Sequence, residues 1–184
     1  MNSDSIRVFK PNVSQDDAVR VFRSAGFAAA YWRLRCGPLR RIADVYVPFW
    51  LYRVRYQMNS TLSTQIFALD AVHGALDLFE FPHPPREDEL LIVDTRNRMA
   101  ARLDAGAAQE LLRTKVLRLL FSQGFFKLRT VGLEIERLPL ELNMPYWLAF
   151  YGQSDSAAIR VLDAVRRRIE GAKAAAFFQE WLAA

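Results

Sequence analysis

Pro48-Phe49-Trp50-Leu51 returns 97 positions later as Pro145-Tyr146-Trp147-Leu148 in a chain of 184 residues. Two more blocks flank this aromatic block in the same order. Residues 19–27 resemble residues 117–125, and residues 68–72 resemble residues 161–165. Repeated units of this kind bury their apolar faces against each other. The sequence therefore predicts an internally duplicated architecture.

The first copy is predicted to open with a helix over residues 14–25. Ser14 suits an N-cap, acidic residues follow it in the first turn, and Gly26 suits the end of the helix. The next stretch, Ala30 to Arg35, is expected to begin a strand before Gly37 and Pro38 break it.

Strands are predicted for the rest of the first copy. Ile42 to Met58 carries the strongest pattern, because aromatic and apolar residues fill both faces until Arg53 and Arg55. Pro48 cannot donate a ladder hydrogen bond, so it marks an edge, a bulge or a bend. A turn at Asn59-Ser60 and strands over residues 63–72 and 75–81 complete the unit.

The second copy follows a linker with three prolines, Pro82, Pro84 and Pro85. A short strand is predicted over residues 90–94, and Asp104 caps a helix over residues 105–123 that Gly124 ends. Extended stretches follow over 125–130, 133–142 and 145–151, with a turn over 152–156. Helical periodicity would allow one long helix over 157–183, whereas the repeat predicts a strand over 157–165 and a helix over 171–182.

Each copy thus has the order helix, strand, strand, strand, and the fold class is α+β. The two α-β-β-β units, residues 1–85 and residues 86–184 with a closing helix, are expected to be related by a pseudo-twofold axis. They would form either two units or one compact pseudo-symmetric domain.

The stretch Leu69-Asp70-Ala71 with Gly74 resembles the turn that leaves a strand in the PepSY and cystatin-like class of small α-β-β-β modules. Leu162-Asp163-Ala164 repeats it, with Arg167 in place of the second glycine. The aromatic strand resembles a motif of uncharacterised bacterial proteins. The resemblance implies a non-enzymatic binding or regulatory module.

Composition excludes several classes of protein. Hydrophobic residues make up 52% of the chain, as in folded globular proteins. Cys36 is the single cysteine, so an internal disulfide and a cysteine-rich metal site are excluded. No leader is visible and the longest apolar runs are far below the ~20 residues of a membrane span. We expect a cytoplasmic protein.

The net charge of +5 is unevenly distributed, because residues 1–60 hold ten basic and four acidic residues. A nucleic-acid or anion contact through the basic first half is one hypothesis. A solvated, mildly basic surface is the simpler interpretation. The residues of the hypothetical contact are Arg33, Arg35, Arg40, Arg41, Arg53 and Arg55.

No catalytic residue, metal site or cofactor is predicted. His73 and His83 lack partners at metal-ligand spacing, and Cys36 has no recognisable signature around it. Asp70 and Asp163 are the acids that recur in the repeat. They suit either a pair for acid–base work or, more simply, side chains that accept backbone N–H bonds in turns.

Trp50 and Trp147 suit either a stacking platform or the anchors of two cores, and their apolar neighbours favour burial. The ligand-binding candidates are Trp50, Arg53, Arg55 and His73. The structural anchors of the repeat are Pro48, Trp50, Asp70, Pro145, Trp147 and Asp163.

The sequence favours a binding or scaffold module with a homodimeric or other protein partner at a sheet edge or face. The alternatives are the nucleic-acid or anion binder and a small-ligand carrier or enzyme with a pocket between the repeats.

Overall fold

The computed structural model describes residues 4–23, 27–58, 61–122, 132–152 and 158–183, and the fold is α+β. The described helices are α1 (Gln15–Arg23), α2 (Phe27–Cys36), α3 (Ala105–Ser122) and α4 (Ala172–Ala183), with a 3-10 turn at Glu87–Glu89. The described strands are β1 (Asp4–Phe9), β2 (Leu39–Met58), β3 (Thr61–Asp70), β4 (Leu76–Phe81), β5 (Leu90–Thr95), β6 (Leu133–Tyr151), β7 (Ala158–Asp163) and β8 (Arg168–Ile169).

Two long antiparallel strands, β2 and β6, form the middle of the sheet. Val47 pairs with Met144, and these two residues are 97 positions apart, as the aromatic blocks are. The pairs on either side match each other, since Tyr46 pairs with Pro145 and Pro48 with Asn143. Matching residues of the two aromatic blocks therefore lie equally far along their strands from this central pair, as Pro48 does from Val47 and Pro145 from Met144.

Both prolines fit inside central strands because the carbonyl and nitrogen of each proline point away from the β2–β6 ladder. The carbonyl of Pro48 accepts a bond from the Ala71 N–H (2.9 Å), and that of Pro145 accepts one from the Ala164 N–H (3.1 Å). In a strand, the N–H and C=O of one residue point to the same side. The missing N–H of Pro48 therefore lies away from the β2–β6 ladder, which stays intact.

The described strands make one eight-stranded sheet in the order β4-β3-β2-β6-β1-β5, with β7 and β8 continuing beside the second half of β6. Strands from both halves of the sequence thus share a sheet. β1 was absent from the sequence-based prediction. It pairs antiparallel with β5 over its whole length and meets β6 at Val8 and Asn143.

Helices α1 and α3 lie on one face of the sheet and are exchanged between the two halves of the sequence. On α1, Ala18 and Phe22 pack against β6 and β7, at Tyr151 and Leu162 among others. On α3, the buried residues pack against β2 and β3; they are Ala108, Leu112, Val116 and Leu120. Each helix therefore packs on strands from the other half of the sequence, and it also meets its own half, at Ile42 for α1 and at Leu133 for α3.

The helix starts follow the predicted caps. The Asp17 N–H donates to Ser14 Oγ (3.2 Å), and the Asp17 carboxylate accepts from the Ser14 hydroxyl (2.7 Å). The Ala107 N–H donates to Asp104 Oδ1 (2.9 Å). These bonds satisfy backbone donors that a helix start leaves without partners.

The opposite face of the sheet is covered by α4, whose Phe178 is buried among Val47, Met144 and Leu148. This helix and β7 confirm the prediction of a strand followed by a helix at the end of the chain. The prediction of a strand at Ala30 to Arg35 is wrong, because α2 occupies that stretch. Its Trp32 packs against Tyr151, with ring centroids 5.7 Å apart.

The predicted features at Gly26, Asn59-Ser60, Gly124, residues 125–130 and residues 153–156 lie outside the described ranges. In the part of the chain that the structure describes, no helix is both long and apolar enough to cross a membrane.

Candidate functional site

Two aspartate turns follow β3 and β7. Asp70 accepts bonds from the Val72 N–H (2.7 Å) and the His73 N–H (3.1 Å). Asp163 accepts bonds from the N–H groups of Val165 and Arg166, both at 2.8 Å. In both turns the carboxylate accepts bonds from the N–H groups two and three residues later, as in an Asx-turn, although Asp70 uses both oxygens and Asp163 uses Oδ1 alone. Both carboxylates thus act as structural acceptors.

A residue in the left-handed conformation closes each turn. Gly74 has φ +72° in the first turn, and Arg167 has φ +58° in the second. Arg167 is the one residue other than glycine with positive φ in the described ranges. The backbone of the second turn therefore keeps the conformation of the first, although the glycine that favours it is missing.

Burial dominates the electrostatics of the two carboxylates. It raises the pKa of Asp70, against the opposing effect of the backbone N–H groups of Val72, His73 and Ala75. It also raises the pKa of Asp163, against the N–H groups of Arg166 and Val165. Arg166 contributes a guanidinium 3.6 Å from Asp163 Oδ2.

A cavity of about 400 Å³ lies between the two turns, on the face of the sheet that α4 covers. Its floor includes Val47 of the central pair, together with Phe49 and Tyr146, which occupy the same place in the two aromatic blocks. Phe177 and Phe178 of α4 form an apolar wall, and the His73 ring meets that of Phe177 edge-on at 4.7 Å. A cavity of this volume is in the range of small-molecule sites.

The polar rim of the cavity contains both signs of charge. Asp70, Arg166, Arg168, Glu170 and Lys173 all line it. Arg168 donates two bonds to Glu170, at 3.0 and 3.2 Å. Lys173 makes no ion pair with any described carboxylate, and its side chain is exposed. Lys173 is therefore the rim cation left to meet an external anion.

Tyr146 also lines this cavity. Burial raises its pKa, and the negative charges of Asp163, Glu170 and Asp70 raise it further. The phenol is therefore neutral at physiological pH, and it can donate a hydrogen bond to a ligand.

The predicted ligand-binding residues do not form one site. Trp50 is 8% exposed and lies on the α3 face of the sheet, where Arg137 stacks over its ring at 4.4 Å. Arg53 and Arg55 lie on the opposite face of β2 and pair with Glu136 (2.8 Å) and Glu134 (3.6 Å). Of the four candidates, the cavity includes His73 alone.

The other recurrent tryptophan is partly buried. Trp147 donates a hydrogen bond from Nε1 to the carbonyl of Val13 (3.0 Å), and it packs with Ala149 and Leu162 under α1. The two tryptophans thus belong to separate clusters, one beneath each exchanged helix.

The six arginines proposed for a nucleic-acid or anion contact lie in two groups, near opposite ends of β2. Arg40 and Arg41 stand at its start, next to Arg33 and Arg35 on α2, whereas Arg53 and Arg55 lie twelve or more residues further along. At about 3.3 Å per residue this is about 40 Å. The basic first half therefore presents no single surface made of all six.

The sequence-based reasoning missed the residues of α4 at the cavity. Lys173 and Phe177 lie in the helix that the repeat predicts over residues 171–182, for which the sequence indicated no partner surface. The signal that would have found them is the repeat itself, because its two aspartate turns flank the helix.

No protein-family model, curated protein or solved structure is significantly similar to this chain.

Proposed function

We propose that this protein is a non-enzymatic binding module that holds a small organic molecule in the cavity between its two aspartate turns. The observation that carries the proposal is the position of that cavity, which is lined by equivalent residues of both aromatic blocks and covered by α4. Binding sites commonly occur where two structural units meet, because the surfaces there are concave.

The cavity favours a ligand with an apolar body and one acidic group. The aromatic rings of Phe49, Phe177 and Phe178 would contact the apolar body. Lys173, which has no described carboxylate partner, would meet the acidic group at the rim. The neutral Tyr146 hydroxyl would donate the second hydrogen bond.

The arrangement of the acidic groups supports binding rather than proton transfer. Asp70 and Asp163 accept hydrogen bonds from backbone N–H groups, and Glu170 accepts a hydrogen bond from Arg168. A general base needs a free lone pair aimed at its substrate. Asp163 Oδ2 makes no hydrogen bond, but it is buried 3.6 Å from the Arg166 guanidinium, and Asp163 does not line the cavity.

The test compares 4-phenylbutyrate with 4-phenylbutanol, which share an apolar body and differ in the acidic group. Titrations followed by NMR should shift the backbone amides around Phe49, His73 and Phe177, with tighter binding of the carboxylate. Lys173→Ala should weaken binding of the carboxylate roughly two- to fivefold, the range of an exposed ion pair, and leave the alcohol unchanged. Phe177→Ala should weaken both.

Lys10→Ala is the matched control, since Lys10 is an exposed lysine outside the cavity. It should change neither affinity. Shifts that map elsewhere, or equal losses in Lys173→Ala and Lys10→Ala, would remove the cavity as the binding site.

We also propose that the chain is a fused pair of diverged α-β-β-β units related by a local pseudo-twofold axis through Val47 and Met144. Three observations support it: the matched register of β2 and β6, the two aspartate turns and the paired left-handed residues. Under this proposal the relationship to PepSY and cystatin-like modules, and a cytoplasmic location, stay predictions.

Self-association is a second candidate property, and β5 is the strand that favours it. Among the described strands β5 pairs with β1 alone, and its Leu91 and Ile92 are exposed. A second copy could add its own β5 to this edge. Sedimentation equilibrium should then show a dimer that Ile92→Lys dissociates; a monomer at all concentrations would refute it.

A further inference from the structure

We propose that the end of the molecule formed by α2 and the start of β2 docks on a membrane surface that contains anionic lipids. This contact is independent of the cavity, which lies on the opposite face of the sheet from α2. The inference rests on the charge and the exposed apolar side chains of this end, which we call the basic end and define as Arg23, Tyr31, Arg33, Leu34, Arg35 and Arg40.

Two apolar side chains of α2 extend into solvent. Leu34 is 90% exposed and Tyr31 is 55% exposed. They lie three residues apart and so share one face of the helix. The other face holds Trp32 and Cys36, which pack in the cluster beneath α1. The helix is thus anchored on one side and presents Leu34 and Tyr31 on the other.

Arginines accompany these two side chains at this end of the molecule. Arg33 and Arg35 flank Leu34 in the sequence, and Arg35 donates a hydrogen bond to the Tyr31 hydroxyl (2.7 Å). Arg40 follows the last residue of the helix by four positions, and Arg23 ends α1. Arg23, Arg33, Arg35 and Arg40 are exposed, and none of the four makes an ion pair with a carboxylate in the described ranges. Arg41 stays outside the basic end, because its guanidinium stacks over the Phe150 ring (4.6 Å) on the face of the sheet that α4 covers.

The combination is complementary to an anionic bilayer. Arginines attract acidic headgroups, while a leucine between them can enter the boundary between headgroups and acyl chains. A nucleic acid would satisfy the arginines through its phosphates, but it has no apolar layer to receive Leu34. The exposed leucine therefore favours a lipid partner over a nucleic acid.

The contact is reversible and depends on salt. Each arginine near an anionic surface contributes about fivefold in affinity, and the attraction falls off within a Debye length of about 10 Å at 0.1 M salt. Several arginines with one inserted leucine suit a peripheral contact, which binds and releases.

The test is co-sedimentation of the full chain with vesicles of phosphatidylcholine alone and of phosphatidylcholine mixed with phosphatidylglycerol. We expect binding to the mixed vesicles, weakening as salt rises. Leu34→Ser should reduce it about tenfold, and Arg33→Ala with Arg35→Ala about 25-fold. Leu62→Ser and Arg113→Ala are the matched controls, since both residues are exposed and lie outside the basic end.

A fluorescent label gives a second measurement that does not depend on weakened binding. In a Cys36→Ser background, Leu34→Cys carries an environment-sensitive dye, and its emission should shift to the blue on mixed vesicles. A Leu62→Cys label should not shift.

Three results would overturn the inference. They are equal binding to both kinds of vesicle, equal losses in the Leu34→Ser and Leu62→Ser variants, and a label that does not shift. Tight binding of a generic oligonucleotide that is unchanged by Leu34→Ser, with no binding to vesicles, would assign the basic end to nucleic acid instead.

Discussion

Gly74 and Arg167 occupy matching left-handed positions, and exchanging their residue types should have opposite effects on stability. Gly74→Ala introduces a Cβ at φ +72°, where it would overlap the Leu111 side chain and lie 3.2 Å from Leu103 Cδ1. Arg167→Gly removes a Cβ from a residue at φ +58° in an exposed turn.

The magnitudes follow from three effects. A left-handed residue other than glycine costs about 1–2 kcal/mol. Glycine also makes the unfolded chain more flexible, and this lowers the stability of the glycine variant by about 0.4–1 kcal/mol and offsets part of the difference. Crowding of Leu111 adds about 1–3 kcal/mol at Gly74 alone. We expect Gly74→Ala to lower the free energy of unfolding by about 2–4 kcal/mol and Arg167→Gly to raise it by about 0.5–1 kcal/mol.

Urea denaturation followed by circular dichroism and tryptophan fluorescence measures both values. Arg167→Ala is the control, since it removes the charged side chain but keeps the Cβ; its stability should stay within about 0.5 kcal/mol of the parent. A destabilising Arg167→Gly or a neutral Gly74→Ala would show that the two positions do not share a left-handed conformation.

Three further predictions concern the exchanged helices, the second tryptophan and the first aspartate turn. Phe22→Ala should lower the free energy of unfolding by about 3–5 kcal/mol, and Leu120→Ala by about 2–5 kcal/mol. Each should destabilise the whole chain in one cooperative transition rather than unfold one half, and hydrogen exchange can show this. Trp147→Phe should cost about 1–3 kcal/mol, because it leaves the buried Val13 carbonyl without its donor, and a shift of the urea midpoint measures this. Burial raises the pKa of Asp70 in the folded protein, so its contribution to the free energy of unfolding falls as pH rises from the unfolded value of 3.8 through the folded pKa. Asp70→Asn should therefore gain stability relative to the parent over that pH range. Parallel pH profiles of the two proteins would contradict this.

The long strands could be predicted from the sequence because their signals are local. The aromatic runs at Pro48 and Pro145 fill both faces of β2 and β6, and the caps at Ser14 and Asp104 fix two helix starts. The repeat also separated β7 from α4, where helical periodicity alone would have allowed one long helix. These features depend on neighbouring residues, which a single sequence displays.

The remaining features depend on contacts between distant segments. Ala30 to Arg35 is helical because Trp32 meets Tyr151, more than a hundred residues away, and not because its own pattern demands it. β1 needs β5 as a partner, and the cavity forms only when α4 lies over Val47. The arginines of β2 show the same limit, since the sequence could not show that Glu134 and Glu136 neutralise two of them.

The exchange of α1 and α3 governs the order in which a growing chain can complete its core. At about 5–20 residues per second, the ribosome needs about 2–8 s to proceed from the end of β4 to the end of α3. Throughout that interval Trp50, Tyr52 and Phe67 have no helix over them. Phe22 stays without its packing partner for longer, because β7 is synthesised more than 130 residues later. Both halves of the protein must therefore be completed after most of the chain has emerged, and a nascent-chain chaperone would find its binding surface on β2 and β3.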